Sequence, residues 1–126
     1  MSGLEGAPEL IARLKRIAEE APKEFGAALY QEALAIQKLS MGMTPVDTGA
    51  LRASHQTEKP AIRGGEVSVA INVGGPSAPY ALPVHERLDV HHPVGQAKFL
   101  EYAVLASKPD LAQNIAKRID LARMAR

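Results

Sequence analysis

The pattern of apolar and polar positions changes period once along this chain. From Pro8, Leu10, Ile11, Leu14, Ile17, Ala18 and Ala21 recur at helical spacing, with Pro8 suited to a first turn, where a missing N–H costs nothing. Pro22 interrupts this stripe, and a second begins with Phe25, Ala28, Leu29, Ala33, Ile36 and Leu39. Two helices are predicted, the second from Pro22 to Leu39 or Met43 and long enough to cross a small domain. Glu9 and Arg13, and Arg16 and Glu20, are spaced to pair on the polar face of the first, each pair worth a few tenths of a kcal/mol.

Thr44 to Ser54 is where the helical period ends. Pro45 pushes Thr44 out of the α region and has no N–H to donate. Asp47 and Thr48 can bond nearby backbone amides, and Gly49 tolerates a positive φ, so Asp47-Thr48-Gly49 reads as a braced turn. Beyond it the period is two. Leu51, Ala53, His55 and Thr57 fall on one side, with Arg52, Ser54, Gln56 and Glu58 on the other. Pro60 weakens the Lys59–Arg63 stretch as a strand, and Gly64-Gly65 signals a hairpin turn. The second arm, Glu66 to Val73, places Val67, Val69, Ile71 and Val73 on one face, the clearest alternation in the chain. Gly74 to Pro79 is loop-like; Tyr80 to Glu86 reads as an edge strand because it contains Pro83. Arg87 to Gly95 is irregular.

The period then returns to helical, with Phe99, Leu100, Ala103 and Val104 on one stripe before Pro109. Ser107 and Asp110 have capping-box spacing, so a final helix is expected from there, with Leu111, Ile115, Ile119 and Ala122 as its apolar face. Lys117, Arg118, Arg123 and Arg126 gather toward its end, where cations suit the helix dipole. The expected fold class is α+β. N-terminal helices, one of them long, precede a small antiparallel sheet of a hairpin plus an edge strand, and C-terminal helix follows.

Composition narrows the function classes. The 126 residues fit a single domain. Hydrophobic residues at 46% and charged ones at 23% are globular values, but aromatics at 4% leave a thin, aliphatic core, which suits a subunit completed by its neighbours. A formal net charge of +1 provides no global field for nucleic acid or an acidic membrane. With no Cys, thiolate chemistry, disulfides and Cys-ligated zinc are excluded. No apolar run approaches the roughly 20 residues a membrane span needs. The N-terminus lacks the basic and apolar regions of a signal peptide, so synthesis in the cytoplasm is expected.

Candidate chemistry is sparse. His85, Glu86, Asp89, His91 and His92 form the densest cluster of ligand-type residues. A helical His-Glu-x-x-His metal site would need histidine where Asp89 stands, and Pro83 and Pro93 flank the segment. The cluster reads as polar loop side chains, with His85, Asp89 and His91 as the residues a metal would use. Ser54, His55 and Asp47 supply the residue types of a hydrolytic triad. Neighbouring strand residues point to opposite faces, however, so Ser54 and His55 are poorly placed to share a proton. Gly64-Gly65 and Gly74-Gly75 lack the spacing of a phosphate-binding loop. No cofactor is expected.

The order of these features resembles the small head-tail joining proteins (neck, tail-completion or minor tail components) of long-tailed bacteriophages and prophages. The likeness lies in a long helix followed by Pro45, Thr48, Gly49, Leu51 and Ser54, with Arg52 at a commonly basic position. It continues in Tyr80-Ala81 with Val84-His85-Glu86, then in Phe99-Leu100 with Ala103 at the start of a C-terminal helix. The chain departs from that pattern between Glu86 and Phe99, where the His-rich stretch is inserted and Lys98 stands in place of a Pro. The resemblance implies a non-enzymatic virion subunit forming a ring at the head-tail junction. Its partners would be copies of itself, a head-closure or connector protein, and a tail-terminator or tail-tube protein, with DNA passing through without sequence-specific contact. A tail terminator capping the tube is the nearest alternative. A small metal-dependent hydrolase and a host-binding adaptor are more distant ones.

Overall fold

The structure, a computed structural model, describes residues 6–43, 55–64, 66–72, 80–81 and 98–125. Helix α1 (Ala7–Glu20) carries Pro8 in its first turn and ends at Ala21, whose φ of −139° and ψ of 64° break the helix. Helix α2 (Pro22–Met43) follows at once. Pro22 therefore separates two helices rather than kinking one, and α2 runs about 33 Å at 1.5 Å per residue. Leu10, Leu14, Ile17 and Ala18 of α1 are buried, as are Phe25, Ala28, Leu29, Ala33 and Ile36 of α2. The α2 stripe does not end on Leu39, which is 40% exposed; Ser40 takes the buried position instead.

The predicted hairpin forms, with an irregularity that the alternation did not show. Strand β1 (Gln56–Thr57) pairs antiparallel with β4 (Ala70–Asn72), placing Thr57 opposite Ile71. Strand β2 (Ala61–Arg63) pairs antiparallel with β3 (Glu66–Ser68), placing Ala61 opposite Ser68. Between those pairs, Glu58, Lys59 and Pro60 on one arm face only Val69 and Ala70 on the other, so one extra residue is accommodated as a bulge. Pro60 cannot donate to the ladder, whereas the Glu58 amide still bonds the Ala70 carbonyl at 2.9 Å. The bulge shifts the register by one and sets Ile62 opposite buried Val67, on the apolar face. Strand β5 (Tyr80–Ala81) pairs antiparallel with the other side of β4, giving the order β1-β4-β5. Among the described residues β5 is an edge strand; the rest of the expected Tyr80–Glu86 strand, Pro83 included, lies outside them.

Gly64 closes the hairpin with φ +60°. Nothing lies within 4 Å of where a Cβ would stand, so its requirement is conformational alone. Gly64→Val is expected to cost about 1–2 kcal/mol and Gly64→Asn much less, measured by urea unfolding; equal stability of the two variants would remove the left-handed turn as the cause.

Helix α3 (Lys98–Ser107) leads through a 3₁₀ turn (Lys108–Asp110) into α4 (Leu111–Met124). The expected capping box does not form. Ser107 is itself helical, at φ −85° and ψ −19°, and its hydroxyl bonds back to the Ala103 carbonyl at 2.8 Å. Pro109 suits the 3₁₀ turn because its missing N–H is not needed there. The buried face of α4 is Leu111, Ile115, Ala116 and Ile119, whereas Ala122 is exposed. Leu100, Ala103 and Val104 of α3 complete one core cluster with α1, α2, α4 and the inner face Val67, Val69 and Ile71 of the hairpin. The architecture is α+β.

Candidate functional site

Two polar clusters hold α2 to its neighbours, one at the corner into the sheet and one against α4. At the corner, Ser40 Oγ and His55 Nε2 share a hydrogen bond of 2.7 Å. Both are buried, at 0% and 8% exposure. One helical turn earlier on α2 and two residues later on the strand, Thr57 donates to Gln37 Oε1 at 2.5 Å. These pairs bracket the 44–54 connection and set how α2 meets β1. Burial of the polar groups at the corner is offset by pairing them with each other. A nucleophile has to reach a substrate carbonyl. Ser40 is closed off from solvent, so the Ser40–His55 pair acts as a brace.

The second cluster surrounds Glu32, which is 3% exposed in the middle of α2. Arg118 Nε donates to its Oε2 at 2.5 Å and Asn114 Nδ2 to its Oε1 at 3.2 Å. A buried carboxylate requires such donors, because taking it out of water unpaired is costly. These groups line a cleft of about 480 Å³ whose other walls include Ile36, Ala106, Ser107, Asp110 and Leu121. Further along α4, Arg123 grips Glu24 with two hydrogen bonds, at 2.7 and 3.0 Å. That contact with the Glu24 carboxylate holds the guanidinium pKa above its usual value. Arg13 of α1 reaches Asp120 at 3.3 Å.

The basic residues Arg118 and Arg123 are therefore links between helices, where helix-dipole capping was expected. Sequence reading missed the Glu32–Asn114–Arg118 and Ser40–His55 clusters. Glu32 and Ser40 occupy positions 29+3 and 36+4 on the apolar stripe of α2, and a charge or hydroxyl on such a stripe is the signal that could have found them. His55, which the alternation sets on the side opposite Gln56 and Glu58, is buried.

Of the motif residues singled out in sequence, Tyr80 and Ala81 form β5, and Phe99 and Leu100 open α3 with Leu100 fully buried. Pro45, Asp47, Thr48, Gly49, Leu51, Arg52 and Ser54 lie outside the described residues, as do the metal candidates His85, Asp89 and His91 and the neighbouring Glu86 and His92. Ser54 and Asp47 of the triad reading lie outside them too, and His55 is bonded to Ser40. Among the described residues no group of three or more His, Cys, Asp or Glu is placed to hold a metal ion. No helix among them is long and apolar enough to cross a membrane. No protein-family model, curated protein or solved structure matches the chain.

Proposed function

We propose that this chain is a structural subunit of the neck of a long-tailed phage, assembling into a ring with copies of itself at the head-tail junction. The observation that carries the reading is the apolar surface left on the two C-terminal helices. Tyr102 and Leu105 of α3 are 56% and 50% exposed, and Leu121 and Met124 of α4 are exposed as well. Each pair is three residues apart and so shares one side of its helix. Paired apolar side chains on a thin aliphatic core suit a subunit that completes its burial against neighbours. The braced corner between α2 and β1 supports the same reading, since ring geometry demands a fixed angle between the helix and the hairpin. The resemblance in residues 45–54, 80–86 and 99–103 supplies the place in the virion: between a head-closure or connector protein and a tail-terminator or tail-tube protein.

The test is to mix the purified chain with the head-closure and tail-tube proteins of the same phage and examine the mixture by electron microscopy and native mass measurement. Closed rings of one subunit number are expected. A chain that stays monomeric with both partners present overturns the proposal.

A further inference from the structure

Between the N-terminal half of α2 and strand β2 lies an apolar depression of about 430 Å³. Gly26 and Pro60 form its floor: a Cβ on Gly26 would stand 3.1 Å from the Cβ of Pro60, so the missing side chain is what allows the hairpin to lie this close. Tyr30 and Ile62 form walls, and Ile62, turned to this side by the bulge, is 42% exposed. Lys23 and Lys59, both exposed, line the rim, and neither meets a carboxylate among the described residues. The depression thus asks for an apolar side chain accompanied by negative charge.

Among the described residues one surface is of that kind. Leu39 and Met43 sit beside Lys38, which has the wrong sign. Leu121 and Met124 lie beside Asp120 and Arg123, which are engaged with Arg13 and Glu24. The Tyr102–Leu105 ridge of α3 instead adjoins Glu101, a carboxylate with no cation partner among the described residues. We infer that this ridge of one copy seats in the Gly26–Pro60–Ile62 depression of the next, with Glu101 facing Lys23 and Lys59. The inference rests on the ring reading above and names its subunit contact.

The two surfaces belong to different flanks of the molecule. Tyr30 lines the depression, while Ala35 faces the cleft it shares with Ala106 of α3. Five residues on a helix turn the side chain by about 140°. A contact between two dissimilar patches on different flanks is heterologous, and repetition of it generates a ring or an open helix. The apolar side chains supply the attraction. The charges fix orientation, because exposed ion pairs contribute little attraction while opposed like charges penalise the wrong pairing.

Sedimentation velocity of the full chain over a concentration series tests this, with the wild type expected to self-associate. Charge reversal in K23E/K59E, and separately in E101K, is expected to weaken association about tenfold or more, and the combined K23E/K59E/E101K chain to recover to within about threefold of wild type. The changed side chains lie off the core, and unchanged far-ultraviolet circular dichroism verifies the fold. Recovery in the combined chain is beyond what a merely damaged fold could produce. Reversals without effect, or a combined chain that does not recover, overturn the contact while a self-associating wild type leaves the ring reading standing. A wild-type chain that is monomeric alone and with the head-closure and tail-tube proteins overturns both.

Discussion

Phe25→Ala is expected to destabilise the fold by about 3–5 kcal/mol, the range for truncating a fully buried aromatic. Among the described residues Phe25 is the largest of the fully buried side chains, at 0% exposure, and sits in the first turns of α2. This chain has only two Phe and no Trp, so few other side chains are bulky enough to close the space. Alanine removes the transfer contribution of the ring and leaves a cavity that helices already in contact can only partly collapse. A small domain is stable by about 5–15 kcal/mol in total. The variant should therefore unfold at much lower urea with an unchanged dependence on urea concentration. Phe25→Leu, which keeps most of the volume, should cost about 1.5 kcal/mol or less. A loss below about 1 kcal/mol for Phe25→Ala would mean that the α1–α2 junction repacks freely, and the single-core description would fail there.

Arg118→Ala is expected to cost about 2–3 kcal/mol, below the 3–5 kcal/mol typical of a broken buried pair because the arginine is partly exposed and Asn114 still donates to Glu32. The damage comes from the carboxylate left behind: Glu32 has 5% of its side chain exposed against 39% for Arg118. Removing the charge as well should recover most of the loss. Glu32→Leu with Arg118→Met is expected near wild-type stability, since apolar groups of similar volume can replace such a pair without penalty. Arg123→Ala, at a pair where the arginine is 45% exposed, should cost clearly less than Arg118→Ala, because solvent screens an exposed pair. Chemical denaturation of the two single variants and the double variant checks the order. If Arg118→Ala and Arg123→Ala prove equal, burial of Glu32 is not what gives the first pair its weight.

Periodicity made most of the architecture legible. The stripes of α1 and α2 differ by the interruption at Pro22, and that break survives folding because a proline ring there removes a helical N–H whatever surrounds it. The alternation Val67, Val69, Ile71 marked the inner face of the hairpin, and Gly64 marked its turn, since both follow from local backbone geometry. The Ser107–Asp110 box was misread for a related reason. Pro109 favours a 3₁₀ turn at that point, and a hydroxyl that can bond the carbonyl four residues back does not need to cap.

What the sequence by itself determined is therefore local: where helices begin and break, which strand face is apolar, and that Pro60 marks a weak place in the ladder. Only the tertiary structure decided which distant residues meet. Glu32 and Arg118 are 86 positions apart, and Arg123 and Glu24 are 99 apart. No local periodicity encodes which carboxylate a guanidinium reaches, because that depends on how α4 packs along α2. The bulge at residues 58–60 belongs to the same class. Its register follows from pairing two arms against one core, and that pairing turns Ile62 toward α2 and creates the depression beside Gly26.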